Sequence, residues 1–200
     1  MSTLLALSEA VEACDPYMRG HSSRVAEMAC EVGRLLRCDQ TQLTLLRLGG
    51  TLHDVGKLVV RDEVLNKPGP LTAGELREVR IHPEVGARMV ALDRALRPAA
   101  PAVLYHHEHW DGGGYPSGRA GSAIPLDARI LGVVDSYDAM TSDRPYRAAL
   151  SAEQAVAEVD RCAGTQFDPE IAYAFLDAWE SGAFLVTAEP RAAASGDFRR

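Results

Sequence analysis

Apolar residues recur at helical spacing along almost the whole chain. The pattern is clearest after Pro16, where apolar positions fall every three or four residues on one stripe that ends near Cys38. The stripe consists of Val25, Met28, Ala29, Val32, Leu35 and Leu36. This spacing predicts an amphipathic helix, and a second predicted helix runs from about residue 40 toward residue 56.

Capping and breaking residues predict the remaining elements. Thr72 with Glu75, and Ser151 with Gln154, form the capping-box pairs that open helices. Further helices are predicted over 72–92 with a bend at Pro83, from about 101 to 107, and over 130–140, 151–162 and 168–179. Gly and Pro mark loops over 61–71 and 111–126. Strand-length alternation, repeats and heptads are missing, so we expect one all-α domain.

Composition narrows the class of protein. The 200 residues are 46% hydrophobic and 24% charged, which is typical of one globular domain with its own core. A formal charge of −7 argues against a protein that binds a nucleic-acid polymer by covering its phosphates with Lys and Arg. An anionic small molecule stays compatible with this charge, since bound cations can outweigh local carboxylates.

Targeting signals are missing from the sequence. The four cysteines contain no Cys-x-x-Cys pair and are typical of reduced thiols in a cytoplasmic protein. The N-terminus lacks the basic and apolar regions of a signal peptide, and no apolar run approaches the ~20 residues of a membrane span. We therefore expect a soluble, cytoplasmic protein that does not contact a membrane.

Histidines and aspartates interrupt the apolar faces of the predicted helices. His21 lies four residues before Val25 on the first stripe, and the adjacent His53 and Asp54 end the second helix. Four further positions are in register with apolar neighbours on later helices: His82, His106, His107 and Asp135. For any one histidine, a buried imidazole that is satisfied by a backbone carbonyl is the more common explanation.

Taken together, the seven positions predict a metal centre. Burying so many ionisable groups without partners would cost several kcal/mol each. Imidazole and carboxylate suit Fe, Mn or Zn, and seven ligands exceed the needs of one tetrahedral ion. Two ions bridged by Asp54 and a water would supply a hydroxide and hold a phosphodiester for in-line attack. Lys57 follows Asp54 by three residues and His53 by four, so it shares their helical face.

The ordered motifs resemble those of the HD-GYP family, within the HD-domain metallohydrolases. The positions named above match the H…HD…D pattern, and HHEHWDGGGYP over 106–116 matches the extended HD-GYP signature. Shorter matching stretches are GHSSRV (20–25), NKPGPLT (66–72), IHPEVG (81–86), SDRPYR (142–147) and FDPE (167–170). The resemblance covers roughly residues 12–178.

This resemblance implies a helical HD fold and hydrolysis of cyclic di-GMP to linear pGpG, in some members onward to GMP. It implies two divalent ions, Fe or Mn, at positions that share Asp54. The ligands of the first position are His21, His53, Asp54 and Asp135. Those of the second are Asp54, His82, His106 and His107.

The resemblance also implies the residues that contact the substrate. Lys57 matches a residue that contacts the scissile phosphate, while Arg144 and Arg147 match residues that contact the ligand. Arg suits this role because its planar fork grips phosphate or guanine edges at two points. For Arg147, a surface position without a role stays an open alternative.

Two departures from the family pattern change the expectations. Tyr17 stands where some members carry an acidic ligand to a third ion, so we expect two ions. Residues 58–61 read Leu-Val-Val-Arg and are bulkier than the family pattern, which affects the shape of the loop beside the site. The glycine-rich run 111–116 has two interpretations, a rigid loop packed beside the site or a segment that touches substrate or a partner.

The resulting hypothesis is a phosphodiesterase domain over residues 1–186, with residues 187–200 as a disordered C-terminal tail. Alternatives are an HD phosphohydrolase for another cyclic dinucleotide or a nucleotide, and a module that senses cyclic di-GMP without turnover. Loss of a metal ligand or of Lys57 would indicate such a module, and all are present. A sensor or synthase partner and a homodimer also stay open.

Overall fold

The computed structural model describes residues 3–14, 18–143 and 148–184. Within these ranges the regular structure is helical, and an isolated bridge between Ala163 and Phe167 is the only strand-like feature. The α-helices, α1 to α10 in chain order, are Thr3–Cys14, His21–Leu35, Gln40–Leu52, Asp62–Leu65, Ala73–Arg80, His82–Leu92, Ala100–Tyr105, Leu126–Met140, Ala152–Arg161 and Pro169–Glu180. Short 3₁₀ helices lie at Val55–Val59, Arg97–Ala99 and Gly121–Ala123. The all-α prediction is confirmed.

The larger core joins α2, α3, α8 and α10. Val25 and Val32 of the predicted stripe are fully buried there, together with Leu46, Leu131 and Phe175. A close approach of two backbones brings α3 against α2. A Cβ added at Gly50 would lie 2.6 Å from Ala26 Cα and 2.8 Å from its amide nitrogen, so only glycine fits. The end of α3, which His53 follows, is thereby held against α2.

A second apolar cluster fixes the segment that follows His53. Leu52 and Val55 pack with Val90 of α6 and Val103 of α7, all of them fully buried. At Gly56 an added Cβ would lie 2.0 Å from the His82 carbonyl oxygen, so this segment lies directly on the first turn of α6. The two apolar clusters thus bring the C-terminal ends of α3 and α7 and the first turn of α6 close to the start of α2.

Several predicted boundaries were wrong. The helix predicted over 72–92 is two helices, α5 and α6, which meet at Ile81. Pro83 lies in the first turn of α6, where a missing N–H costs little, and does not bend a continuous helix. The predicted loop 61–71 contains the short α4, and α1 was not predicted. Leu35 was assigned to the buried stripe, yet it is the last residue of its helix and is 51% exposed.

Both predicted capping boxes are confirmed, at Thr72 with Glu75 and at Ser151 with Gln154. None of the helices in the described ranges has the length and apolar character needed to cross a bilayer.

Candidate metal centre

Most of the predicted ligands lie at helix ends. His21 and His82 are the first residues of α2 and α6, while His53 and His106 directly follow α3 and α7. The predicted inward face is confirmed for His21 and His82, which are buried in the first turns of their helices, whereas His53 and His106 lie one residue past the ends of α3 and α7. Asp135 alone among the predicted ligands lies in the interior of a helix, α8.

The first cluster surrounds the Nε2 atom of His21. This atom lies 3.2 Å from His53 Nε2, 3.2 Å from Asp135 Oδ1 and 3.8 Å from Asp54 Oδ2. His53 Nε2 lies 3.4 Å from Asp54 Oδ2 and 3.7 Å from Asp135 Oδ1. Ligand atoms of His21, His53 and Asp54 lie within 4.8 Å of one another, close enough to share one ion.

The second cluster consists of His82, His106 and His107, whose ligand atoms also lie within 4.8 Å of one another. His82 Nε2 lies 3.4 Å from His106 Nε2 and 3.4 Å from Asp54 Oδ1. The His107 ring lies 4.0 Å from the His106 ring between centroids. Asp54 thus turns Oδ2 toward the first cluster and Oδ1 toward the second.

Three of the histidines are oriented by backbone carbonyls. Nδ1 of His53, His82 and His106 donates to the carbonyl three residues earlier, at distances of 2.8, 2.8 and 2.7 Å. In a neutral imidazole this bond leaves Nε2 as a bare acceptor. The Nε2 atoms of His82 and His106 then lie 3.4 Å apart with their lone pairs facing each other. A shared cation satisfies this arrangement. The residues therefore fit a divalent metal site.

Burial keeps the second cluster neutral. It lowers the pKa of His82 to about 3 and that of His107 to about 4, and it holds the pKa of His106 well below its usual value. Three neutral imidazoles are the state in which histidine binds a metal ion.

The first cluster carries charge of both signs. Burial would raise the pKa of Asp54, but Lys57 and His53 hold it well below its usual range. Burial would lower the pKa of His21, yet Asp135 and Asp138 raise it to about 9. A proton at His21 thus places positive charge among the ligand atoms, as a bound cation would, and must leave before Nε2 can bind an ion.

A cleft of about 470 Å³ opens onto the clusters and is lined by Lys57, His82, His107, Tyr115 and Asp135, among others. The Nζ atom of Lys57 donates to Asp54 Oδ2 at 2.6 Å. Lys57 therefore lies beside Asp54, as the spacing predicts, and it also lines the cleft.

The glycine-rich loop forms one wall of the site. The Tyr115 ring stacks on His107 at 4.8 Å between centroids, and the Arg80 guanidinium lies 5.0 Å from the centre of the Tyr115 ring. Glu108 accepts bonds from the amides of Ser117 and Arg119, which anchors the loop. The interpretation as a packed loop beside the site fits this geometry, with Tyr115 as its contact.

Sequence reasoning assigned no role to Asp138 or Arg24. Asp138 is buried, and its Oδ2 accepts a 2.7 Å bond from His21 Nδ1. The available signal was the spacing of Asp138, one helical turn after Asp135 in an otherwise apolar segment. Three residues with predicted roles, Tyr17, Arg144 and Arg147, lie outside the described residues.

The depressed histidine pKa values predict acid sensitivity. An unfolded histidine titrates near 6.5. Below that pH the unfolded chain binds protons at His82 and His107, whereas these imidazoles stay neutral in the folded chain. After chelator treatment, the free energy of unfolding should fall as the pH drops from 6.5, by about 2 kcal/mol at pH 5 for His82 alone. His21 does not contribute to this pH dependence. Because its pKa is raised to about 9, its stabilisation of the folded state is fully present below pH 6.5 and is lost only as the pH rises toward 9.

Urea unfolding of the chelated chain at pH 7 and pH 5 checks this expectation. Equal free energies of unfolding at the two pH values would contradict it.

Comparison with known proteins agrees with this fold and site. The family model described as HD domain matches residues 6–171, and the chain belongs to this family. The curated relatives confirm the resemblance to HD-GYP proteins, and the structural neighbours share the helical fold.

Two relatives and one solved structure show the extent of the likeness. A cyclic di-GMP phosphodiesterase of Pseudomonas aeruginosa is 42% identical over 165 residues, covering 82% of this chain and 40% of the relative. A 3'3'-cGAMP-specific phosphodiesterase 3 of Vibrio cholerae is 37% identical over 165 residues, covering 82% and 36%. The crystal structure of a cyclic GMP-AMP specific phosphodiesterase of V. cholerae superposes with a TM-score of 0.69 at 22% identity, covering 92% of this chain and 49% of that chain.

The chain thus spans less than half the length of these relatives.

Proposed function

We propose that this chain is a metal-dependent phosphodiesterase that hydrolyses cyclic di-GMP to pGpG at a dinuclear metal centre. The observation that carries the proposal is Asp54, a buried carboxylate whose two oxygens face two separate histidine clusters. The name of the 42% identical relative supports cyclic di-GMP as the substrate. Further hydrolysis of pGpG would appear as GMP in an assay that separates the three nucleotides.

The metal centre would be held by the seven predicted ligands, in the two clusters that share Asp54. A pair of divalent ions, Fe or Mn by family resemblance, would activate a water molecule as the nucleophile and would neutralise charge on a phosphodiester. The chain's own contribution is orientation, because carbonyl bonds fix the rings of His53, His82 and His106.

We predict about two ions per chain by metal analysis after loading with Mn²⁺ or Fe²⁺. Tyr17, at the position of an acidic ligand in some family members, is the reason to expect no third ion. A fully occupied third ion held by protein side chains, or no ion after loading, would contradict this prediction.

The cleft suits a compact anionic ligand. Its volume of about 470 Å³ lies in the range of small-molecule sites. Lys57 adds a positive charge to its lining, and apolar side chains such as Val79 and Met140 form part of the wall. A phosphate could lie against the clusters while a base contacts the apolar wall.

The decisive test is an assay of the purified chain loaded with Mn²⁺ or Fe²⁺, which separates cyclic di-GMP, pGpG and GMP. Metal-dependent appearance of pGpG supports the proposal. Binding of cyclic di-GMP without turnover would favour a sensing module instead.

A second candidate substrate is 3'3'-cGAMP, which is favoured by the name of the 37% identical relative. The metal centre would be the same, since both ligands contain the same phosphodiester. The ratio of kcat/KM for cyclic di-GMP and 3'3'-cGAMP decides between them.

Specificity is proposed to depend on Arg144 and Arg147, which the sequence places in RPYR, nine residues after Asp135. Each charge-assisted contact is worth about 1.5–3 kcal/mol, or roughly 10- to 150-fold in affinity. Arg144→Ala should therefore raise the KM for cyclic di-GMP by at least about tenfold. Hydrolysis of bis(p-nitrophenyl) phosphate, which needs only the metal centre, should change little.

Arg119→Ala is a matched control, because this guanidinium lies over the Tyr105 ring at 4.1 Å and does not line the cleft. Equal losses on both substrates in Arg144→Ala would instead indicate that Arg144 supports the metal centre.

Residues 1–186 are proposed as the catalytic domain, acting in the cytoplasm. A homodimer or a sensor or synthase partner would supply regulation, and light scattering of the purified chain tests the first of these.

A further inference from the structure

His21 is oriented differently from the three histidines that use backbone carbonyls. It is the first residue of α2, and Gly20 before it has a φ of +71°, so the backbone before His21 does not continue the α-helix. The carbonyl three residues earlier, which His53, His82 and His106 each use, is not the partner of its Nδ1 atom. That atom lies 2.7 Å from Asp138 Oδ2 on α8.

Two carboxylates therefore hold one imidazole from opposite sides. Asp135 lies 3.2 Å from Nε2 of His21, and Asp138, one turn later on α8, lies 2.7 Å from Nδ1. The spacing of three residues places both carboxylates on the same face of α8. The start of α2 is thereby aligned with the helix that supplies another predicted ligand.

Arg24 fixes the outer carboxylate. Its Nε donates to Asp138 Oδ1 at 2.6 Å and its Nη2 to Oδ2 at 2.8 Å, a two-point grip. Its Nη1 donates to the Arg19 carbonyl at 2.9 Å. Asp138 is buried, so neither oxygen can turn toward water without breaking these bonds.

We propose that Asp138, held by Arg24, is a positioning residue that fixes His21 and makes its cluster the tighter of the two metal positions. This inference rests on the metal centre of the proposed function. A carboxylate that accepts the Nδ1–H bond directs Nε2 at the ion and increases its basicity more than a carbonyl does. The second cluster has three histidines, and the described partners of His82 and His106 at Nδ1 are carbonyls.

The test is Asp138→Asn, which keeps the shape of the side chain and removes its charge. Zn²⁺ affinity is measured by competition with a chromophoric chelator. We expect the tighter of two binding steps to weaken by about 10- to 100-fold. The weaker step should change little, because the described side-chain hydrogen bonds of Asp138 are with His21 and Arg24.

Asp168→Asn is the matched control, since Asp168 is also a buried aspartate that pairs with an arginine of α8, Arg129. It tests the loss of a buried ion pair that does not involve His21 or Asp138, and the tighter Zn²⁺ step should stay unchanged. A second variant, Arg24→Gln, keeps the Asp138 carboxylate and loosens its grip. It should weaken the tighter step in the same direction but less.

A spectroscopic readout separates positioning from simple stabilisation. In the ¹⁵N-histidine spectrum of the Zn²⁺-loaded chain, Nδ1–H of His21 should give a strongly downfield proton resonance, which Asp138→Asn shifts upfield. Equal Zn²⁺ affinities in the unaltered chain and Asp138→Asn would overturn the inference, even if cyclic di-GMP is hydrolysed normally. Failure of the unaltered chain to bind Zn²⁺ would instead overturn the proposed metal centre and this inference with it.

Discussion

Asp54→Asn is expected to lower the kcat for cyclic di-GMP by about 10³-fold, which corresponds to about 4 kcal/mol of lost transition-state stabilisation. The reason is that Asp54 serves both clusters with one carboxylate, and Asn can offer only one oxygen and no charge. The amide group would also place N–H donors against imidazole nitrogens or the Lys57 ammonium. Metal content should fall from two ions toward one or none.

The measurement combines steady-state kinetics with metal analysis on the same preparation. Asp62→Asn, on the exposed face of α4, makes the same chemical change outside the site and should leave both quantities unchanged. Circular dichroism checks that the helices are retained. If Asp54→Asn kept two ions and full activity, the shared carboxylate would have no part in the mechanism.

The identities of the candidate ligands could be predicted from the sequence, but their arrangement could not. Apolar periodicity indicates where His21 and His82 lie relative to a helical face, and both are indeed buried. Periodicity does not show where a helix begins, and both residues turned out to be the first of their helices. The site is therefore assembled from helix ends that packing between distant segments brings together.

Long-range packing is also the reason why the two glycine contacts were not foreseen. Gly50 and Gly56 look like weak points within a helical pattern, since glycine is unfavourable in helices. Their function becomes visible only against Ala26 and His82, which lie far away in sequence. The family resemblance identified the surrounding HD motif but not these contacts.

Asp138 shows the same limit at the level of one side chain. Asp135 and Asp138 share the same spacing pattern and the same apolar surroundings, so sequence alone does not distinguish a ligand from a partner of a ligand. The structure separates them because Asp135 lies near Nε2 of His21 and Asp138 near Nδ1.

Lys57→Ala is expected to lower the kcat for cyclic di-GMP by about 10²-fold, with smaller effects on KM and metal content. Lys57 is one of only two lysines in the sequence, and its Nζ lies 2.6 Å from Asp54 Oδ2 at the edge of the cleft. Its side chain is 20% exposed, so the ammonium can contact a phosphate from the cleft while the stem stays packed. Charge that grows on the phosphate in the transition state strengthens this contact beyond its ground-state value.

Arg61→Ala is the control for this change, because Arg61 lies just beyond the same 3₁₀ helix and pairs with Glu78 at the surface. Its kinetics should match those of the unaltered chain. Two results in Lys57→Ala would contradict the proposed role, and they have different meanings. An unchanged kcat would mean that the ions alone neutralise the phosphate, whereas loss of metal would mean that Lys57 acts by holding Asp54 in place. A lower kcat at normal metal content is the outcome that assigns Lys57 to the transition state.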